Sequence, residues 1–176
     1  MSPGAPAPAR IFLIGFMGAG KSSTGAALAS RLDAFFVDLD GRVEAALGMS
    51  VPEIFRQHGE PVFRAEETRQ LSACVAYPRV VVATGGGTFA GATNRAIISR
   101  SGVSVFLDVP WGEVVRRLPG KRDERPLFAT PEQALELYRS RWPVYARADL
   151  TVRPNPDESP EALAGRIVLL LPESCR

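Results

Sequence analysis

Eight consecutive residues restrict this chain more than any others: Gly15-Phe16-Met17-Gly18-Ala19-Gly20-Lys21-Ser22. They follow a short apolar run, Ile11-Phe12-Leu13-Ile14. They precede Ser23-Thr24-Gly25-Ala26-Ala27-Leu28-Ala29-Ser30-Arg31-Leu32, where Ala27, Leu28, Arg31 and Leu32 recur at helical spacing. Strand, glycine-rich loop and helix make the setting that the phosphate-binding spacing G-x-x-x-x-G-K-[ST] requires. The glycines let the backbone fold around an anion with its N–H groups inward, and the positive end of the following helix adds to that field. Lys21 then reaches the β- and γ-phosphates of a nucleotide, and Ser22 supplies an oxygen to Mg²⁺. The alternative is a flexible turn with a stray lysine. Against it, the chain has two lysines, Lys21 and Lys121, beside nineteen arginines. A sequence that places Arg at nearly every cationic position keeps a compact ammonium here, which is what a phosphate loop needs.

The rest of the chain reads as alternating strands and helices. Residues 1–9, with Pro3, Pro6 and Pro8, suggest a disordered leader, and the first strand covers about residues 10–15. Ala34-Phe35-Phe36-Val37-Asp38-Leu39-Asp40 reads as a second buried strand whose acidic end reaches the ligand edge of a sheet. Alternation would send Asp38 and Asp40 to one side, although Asp40 could equally be a helix cap. Two short helices over 41–48 and 51–57, broken by Gly48 and Pro52, lead to a longer one that Gly59-Glu60-Pro61 opens and that runs to about Ala76. On it Arg64 and Glu67 share a face, as a surface ion pair or as part of a site. His58, the only histidine, has no partner motif and is assigned no chemistry.

Val80-Val81-Val82-Ala83 is a third strand, ending in Thr84-Gly85-Gly86-Gly87. Three glycines past a parallel strand allow close backbone approach and offer bare N–H groups. A helix over 91–100, a fourth strand Val103–Leu107 and a helix from about Trp111 to Leu118 follow. Residues 119–130, centred on Lys121-Arg122-Asp123-Glu124-Arg125-Pro126-Leu127, are polar, charged and flanked by prolines, and read as a mobile lid. A helix over 131–142 should end or kink at Pro143. Leu150-Thr151-Val152 is a last strand, Pro160 to about Leu171 a closing helix, and 173–176 a tail. Five short strands separated by helices imply a single α/β domain, with a five-stranded parallel sheet flanked by helices on both faces.

Composition limits the partners. At 176 residues with a net charge of +2, the chain carries no basic block long enough to suggest nucleic acid or a membrane surface. Residues 11–14 are too few to span a bilayer, and they lead into the phosphate loop rather than a cleavage site. Cys74 and Cys175 have no metal or redox spacing, which points to a reducing, cytoplasmic setting. A small enzyme with a moving lid is expected to be a monomer. A lid over a phosphate loop is what a kinase needs to exclude water from ATP.

Several ordered motifs together resemble the shikimate kinases over about residues 10–170. They are the loop at 15–22, Asp38-x-Asp40, Gly59-Glu60-x-x-Phe63-Arg64-x-x-Glu67, Gly85-Gly86-Gly87, Arg125-Pro126-Leu127, and Arg141 two residues before Pro143. The resemblance implies a P-loop kinase that transfers the γ-phosphoryl of MgATP to the 3-hydroxyl of shikimate. It assigns Asp40 to the shikimate hydroxyls and to the proton of the attacking one. Arg64 and Arg141 would clamp the carboxylate with the N–H groups of Gly85, Gly86 and Gly87, Glu67 would hold Arg64, and Phe55 and Phe63 would pack the ring. Gly18, Ala19, Gly20, Lys21, Ser22 and Ser23 would bind ATP, with Arg117 against the adenine. Ser22 would ligate one Mg²⁺ per ATP, with Asp38 acting mostly through water. Lys21 and Arg125 would stabilise charge on the transferring group. Two other readings stand beside this one: a gluconate or nucleoside-monophosphate kinase, and a non-catalytic nucleotide-binding relative. A second phosphate on the acceptor would call for more arginines than Arg64 and Arg141, and a non-catalytic chain would be expected to lose Lys21, Asp40 or Arg125.

Overall fold

The computed structural model describes residues 9–117 and 130–176. Most of the expected leader and lid, and Arg125 with them, lie outside the described residues.

Five strands form one parallel sheet: β1 (Ala9–Ile14), β2 (Phe35–Asp38), β3 (Arg79–Ala83), β4 (Val103–Leu107) and β5 (Leu150–Val152), in the order β2-β3-β1-β4-β5. Between and after them, among the described residues, run α1 (Lys21–Arg31), α2 (Leu39–Leu47), α3 (Val51–Cys74), α4 (Ala92–Ser101), α5 (Trp111–Arg117), α6 (Pro131–Tyr145) and α7 (Pro160–Leu170). In β1, β3 and β4 both alternating sets of side chains are buried, as a parallel sheet covered on two faces demands. Ile11, Leu13, Val81, Val105 and Leu107 are among the fully buried side chains of the main core. Strand order reverses at β1, which has β3 on one side and β4 on the other. The crevice beyond the carboxyl end of such a strand is where an open α/β sheet takes ligands.

Beside this core lies a smaller one. Val43, Ile54 and Phe63 are buried together, with Leu47, Met49, Val51 and Phe55 packed on them. It joins α2 to α3 on both sides of Gly59 and stands apart from the main core. Local chemistry sets the ends of these helices. Asp38 caps α2 by accepting from the Gly41 N–H at 3.3 Å. Ser50 and Glu53 form a capping box at the start of α3, where the Ser50 N–H donates to Glu53 at 2.9 Å. The expected break at Gly59 is real: φ 80° and ψ 168° interrupt α3 there, and Pro61 falls in the first turn after it.

Five expectations need correction. The second strand is neither wholly buried nor seven residues long. It ends at Asp38, and Phe35 and Phe36 are 60% and 38% exposed because β2 is an edge strand paired only with β3. Asp40 therefore lies in the first turn of α2, not on a strand. Pro143 does not end α6. It lies in the last turn, where it removes only the donor to the Arg139 carbonyl, on an exposed stretch open to water. At the two ends, Ala9 belongs to β1, and residues 173–175 form a 3₁₀ turn that buries Cys175 in the main core.

Candidate active site

The carboxyl ends of β1, β2 and β3 open onto a cleft of about 970 Å³. The loop after β1 forms its floor. Asp38 and Asp40 stand at the β2–α2 junction, and Thr84–Gly87 follow β3. Phe55, Phe63, Arg64 and Glu67 come from α3, Arg141 from α6 and Arg117 from α5. The candidates of the sequence reading thus meet in one hollow, apart from Ala19, which does not line it, and Arg125, which is outside the described residues.

The floor has the geometry of an anion cradle. Gly18 and Gly20 sit at φ 76° and 87°, in the left-handed region open to glycine, and α1 begins immediately afterwards at Lys21. The Lys21 ammonium donates to the carbonyls of Gly15 and Phe16 at 2.8 and 2.9 Å. Ala19 serves the loop itself: its side chain is buried and its N–H donates to the Phe16 carbonyl at 3.2 Å. Ser23 donates to the Gly20 carbonyl at 3.4 Å, and Arg117 reaches across to the Gly18 carbonyl at 3.3 Å. The Ser22 hydroxyl donates to Asp38 Oδ2 at 2.5 Å, so Asp38 both caps α2 and holds Ser22. One hydroxyl and one carboxylate converging at the phosphate loop are a donor set suited to Mg²⁺, which binds few protein oxygens and keeps waters and phosphates around it.

The other half of the cleft is built around buried charge. Asp40 Oδ1 is buried and has no hydrogen-bond partner among the described residues. Burial raises its carboxyl to about 6; Lys21 and Arg64 oppose this, while Glu67 and Asp38 add to it. Facing it, Arg64 donates through Nη1 to both Glu67 oxygens at 3.2 and 3.0 Å and through Nε to Glu60 at 3.1 Å. Desolvation works against the Arg64 charge, but Glu67 and Glu60 outweigh it and its pKa is raised. Its guanidinium lies 5.1 Å over the Phe63 ring, whose centroid is 5.0 Å from that of Phe55. Glu67 is fully buried and also accepts from Thr88 at 2.6 Å. Arg141 is buried too, and its Nη1 has no hydrogen-bond partner among the described residues.

None of the three glycines after β3 has a positive φ, and at Gly85 and Gly87 it is closeness that requires glycine. A Cβ on Gly85 would lie 2.6 Å from Asp40 Oδ1 and 2.9 Å from Glu67 Oε1, and one on Gly87 would lie 2.4 Å from Arg64 Nη2. One at Gly86 would stand 3.5 Å from Arg141 Nη1. Two supporting residues, Thr88 and Tyr145, went unnoticed in the sequence, and Glu60, quoted within the Gly59–Glu67 motif, was given no role of its own. Glu60 and Tyr145 could have been found by helical spacing, four residues before Arg64 and four after Arg141; Thr88 carried no such signal.

Comparison with known proteins gives the family. A family model described as shikimate kinase matches residues 17–172. A shikimate kinase of Synechococcus sp. (strain CC9605) is 45% identical over 92% of this chain and 82% of its own. One from Ruegeria pomeroyi is 40% identical over 92% and 84%. Among solved structures, shikimate kinase from Acinetobacter baumannii in complex with shikimate superposes with a TM-score of 0.87 at 33% identity, covering 94% of this chain and 93% of that one. The enzyme from Aquifex aeolicus gives 0.81 at 35% identity, covering 91% and 94%. The chain belongs to the shikimate kinase family.

Proposed function

We propose that this cleft binds ATP and shikimate side by side and transfers the γ-phosphoryl group to the shikimate 3-hydroxyl, giving shikimate 3-phosphate and ADP. One observation carries the reading. Among the described residues, Asp40 Oδ1 and Arg141 Nη1 are the buried side-chain atoms with no hydrogen-bond partner, and both belong to this cleft. Buried polar groups are costly unless paired, so an acceptor and a donor left open in one hollow mark where a ligand supplies both complements. A molecule with alcohols at one end and a carboxylate at the other does so.

In this reading the phosphate loop and Lys21 hold the β- and γ-phosphates. Arg64, Arg141 and the N–H groups of the triglycine run receive the carboxylate, for which planar guanidinium forks are well shaped. Glu67 and Glu60 keep Arg64 in place, and the Phe55 and Phe63 rings pack the carbocycle. Asp40 receives the hydroxyls. As the alcohol oxygen bonds to the γ-phosphorus and the bridging bond to ADP breaks, the alcohol proton passes to Asp40. The transition state is loose and the proton leaves late, so positioning outweighs base strength. A carboxyl raised to about 6 is still ionised at neutral pH and is a better proton acceptor than an ordinary one. Ser22, with Asp38, would hold Mg²⁺, which when bound neutralises charge on the phosphates. Arg125 is assigned by the resemblance to the transferring phosphoryl group.

No helix among the described residues is long and apolar enough to cross a membrane. We place the enzyme in the cytoplasm as a monomer, with neither nucleic acid nor membrane as a partner. The low net charge supports this, as do the two free cysteines, both buried.

A panel of acceptors in a coupled ADP-release assay tests the proposal. Shikimate should be turned over, and gluconate and nucleoside monophosphates should not. Strong activity on gluconate with none on shikimate would overturn it.

A further inference from the structure

Tyr145 takes no part in the chemistry above, yet it is tied to the substrate half of the cleft. It is 1% exposed, the largest of the fully buried side chains, and its ring packs against Phe106 at a centroid distance of 5.4 Å. It lies one turn beyond Arg141 on α6, so one face of that helix carries both residues inward. Its hydroxyl donates to the carbonyl of Gly86, the middle glycine of the run after β3. Burial pushes the phenol up to about 12, against the pull of the neighbouring Arg141 charge, so it remains a donor at any working pH.

The partner it chose matters. In a trans peptide the C=O and the following N–H point in opposite directions, and there is no cis bond among the described residues. With the Gly86 carbonyl held against Tyr145, the Gly87 N–H is turned to the opposite side. Among the described residues no acceptor meets that N–H. Glycine has no Cβ to restrict its dihedrals, so a peptide between two glycines has little of its own to keep it in one orientation. Gly86 and Gly87 both line the cleft.

We infer that Tyr145 is a positioning residue. By anchoring the Gly86 carbonyl it fixes the Gly86–Gly87 peptide with its N–H aimed at the substrate carboxylate beside Arg141. The inference rests on the proposal that the carboxylate is held at this end of the cleft. Tyr145 touches neither substrate nor nucleotide; it sets how strongly the acid group is held against any uncharged analogue.

The test compares shikimate with its carboxamide in the wild-type protein and in Tyr145→Phe, which keeps the ring and removes the donor. Dissociation constants are measured by titration, and steady-state kinetics are run alongside. The wild type should prefer the acid by at least about 10-fold, as charge-assisted bonds to a carboxylate require. In Tyr145→Phe, shikimate binding should weaken by about 10-fold while carboxamide and ATP affinities stay within about 2-fold, so the preference collapses. A purely structural loss would weaken both acceptors alike, and the unfolded fraction cancels in their ratio. No preference in the wild type would refute the carboxylate end of the cleft. A wild-type preference kept unchanged in Tyr145→Phe would refute the role of Tyr145 and leave the proposed site standing. A second measurement needs no variant: the Gly87 amide proton of the wild type should move downfield on adding shikimate, and less with the carboxamide. An amide that does not move with shikimate would overturn the inference.

Discussion

Asp40 and Gly85 approach so closely that position 85 has no room for a side chain: a Cβ there would stand 2.6 Å from Asp40 Oδ1. The proposed base and the glycine run are thus one packed unit. Gly85→Ala should displace Asp40 and Glu67, the second group within 3 Å of that point. Overpacking of this kind costs about 1–3 kcal/mol, and a misplacement near 1 Å can cost about 10²-fold in rate. We expect kcat/KM for shikimate to fall by at least about 10²-fold with the KM for ATP nearly unchanged. Near-wild-type turnover would mean that Asp40 tolerates movement and does not act by position.

Asp40→Asn should lower kcat by at least about 10²-fold and leave ATP binding intact, since the amide cannot take the proton. It should also stabilise the fold at neutral pH. The Asp40 carboxyl is raised from 3.8 to about 6 by burial, so the folded state holds a proton that the unfolded state has already released across that window. The stability from the protonated form is complete below about pH 4 and lost as pH rises through about 6. Above it, the variant should exceed the wild type by roughly 3 kcal/mol, and the gap should close as pH falls to about 4. Denaturant midpoints at the two pH values measure this. Equal stability at neutral pH would contradict the buried, ionised carboxylate.

Turnover should carry the same signature. With Asp40 as proton acceptor, the wild-type kcat/KM for shikimate should fall on the acid side with an apparent pKa of about 6. A pH–rate profile flat down to about 5 would remove Asp40 from that role.

Arg141→Ala should weaken shikimate binding by roughly 1.5–3 kcal/mol, the worth of charge-assisted bonds, and leave the ATP KM unaltered. An unchanged KM for shikimate would show that the clamp is misplaced.

Much of this site could be read before any coordinates. The phosphate loop, the Asp38–Asp40 pair, Arg64 with Glu67 and the triglycine run each combine a chemical demand with a short local spacing, and short spacings survive folding. Asp38 and Asp40 do meet the cleft, but the reason is different: the strand stops at Asp38 and the first turn of α2 carries Asp40 inward. The burial of β2 depended on which strand took the edge, a fact of sheet order that no local pattern contains. α6 continued through Pro143 because a proline in a last, solvent-facing turn strands a single carbonyl. The bonds from Thr88 to Glu67 and from Tyr145 to Gly86 join elements 21 and 59 residues apart. The Thr88 donor looks like any other core hydroxyl, and the Tyr145 donor shares a helix face with Arg141 but shows no partner, until packing brings each to its own.

The central claim is that one acid is held by its charged end so that an alcohol faces the phosphate loop across Asp40. A crystal structure with shikimate and ADP–Mg²⁺ measures this directly. The account predicts the carboxylate on Arg64, Arg141 and the glycine run, with the 3-hydroxyl within hydrogen-bond reach of Asp40 and turned to the ADP β-phosphate. Shikimate bound with its carboxylate toward Lys21, or bound outside this cleft, would contradict it.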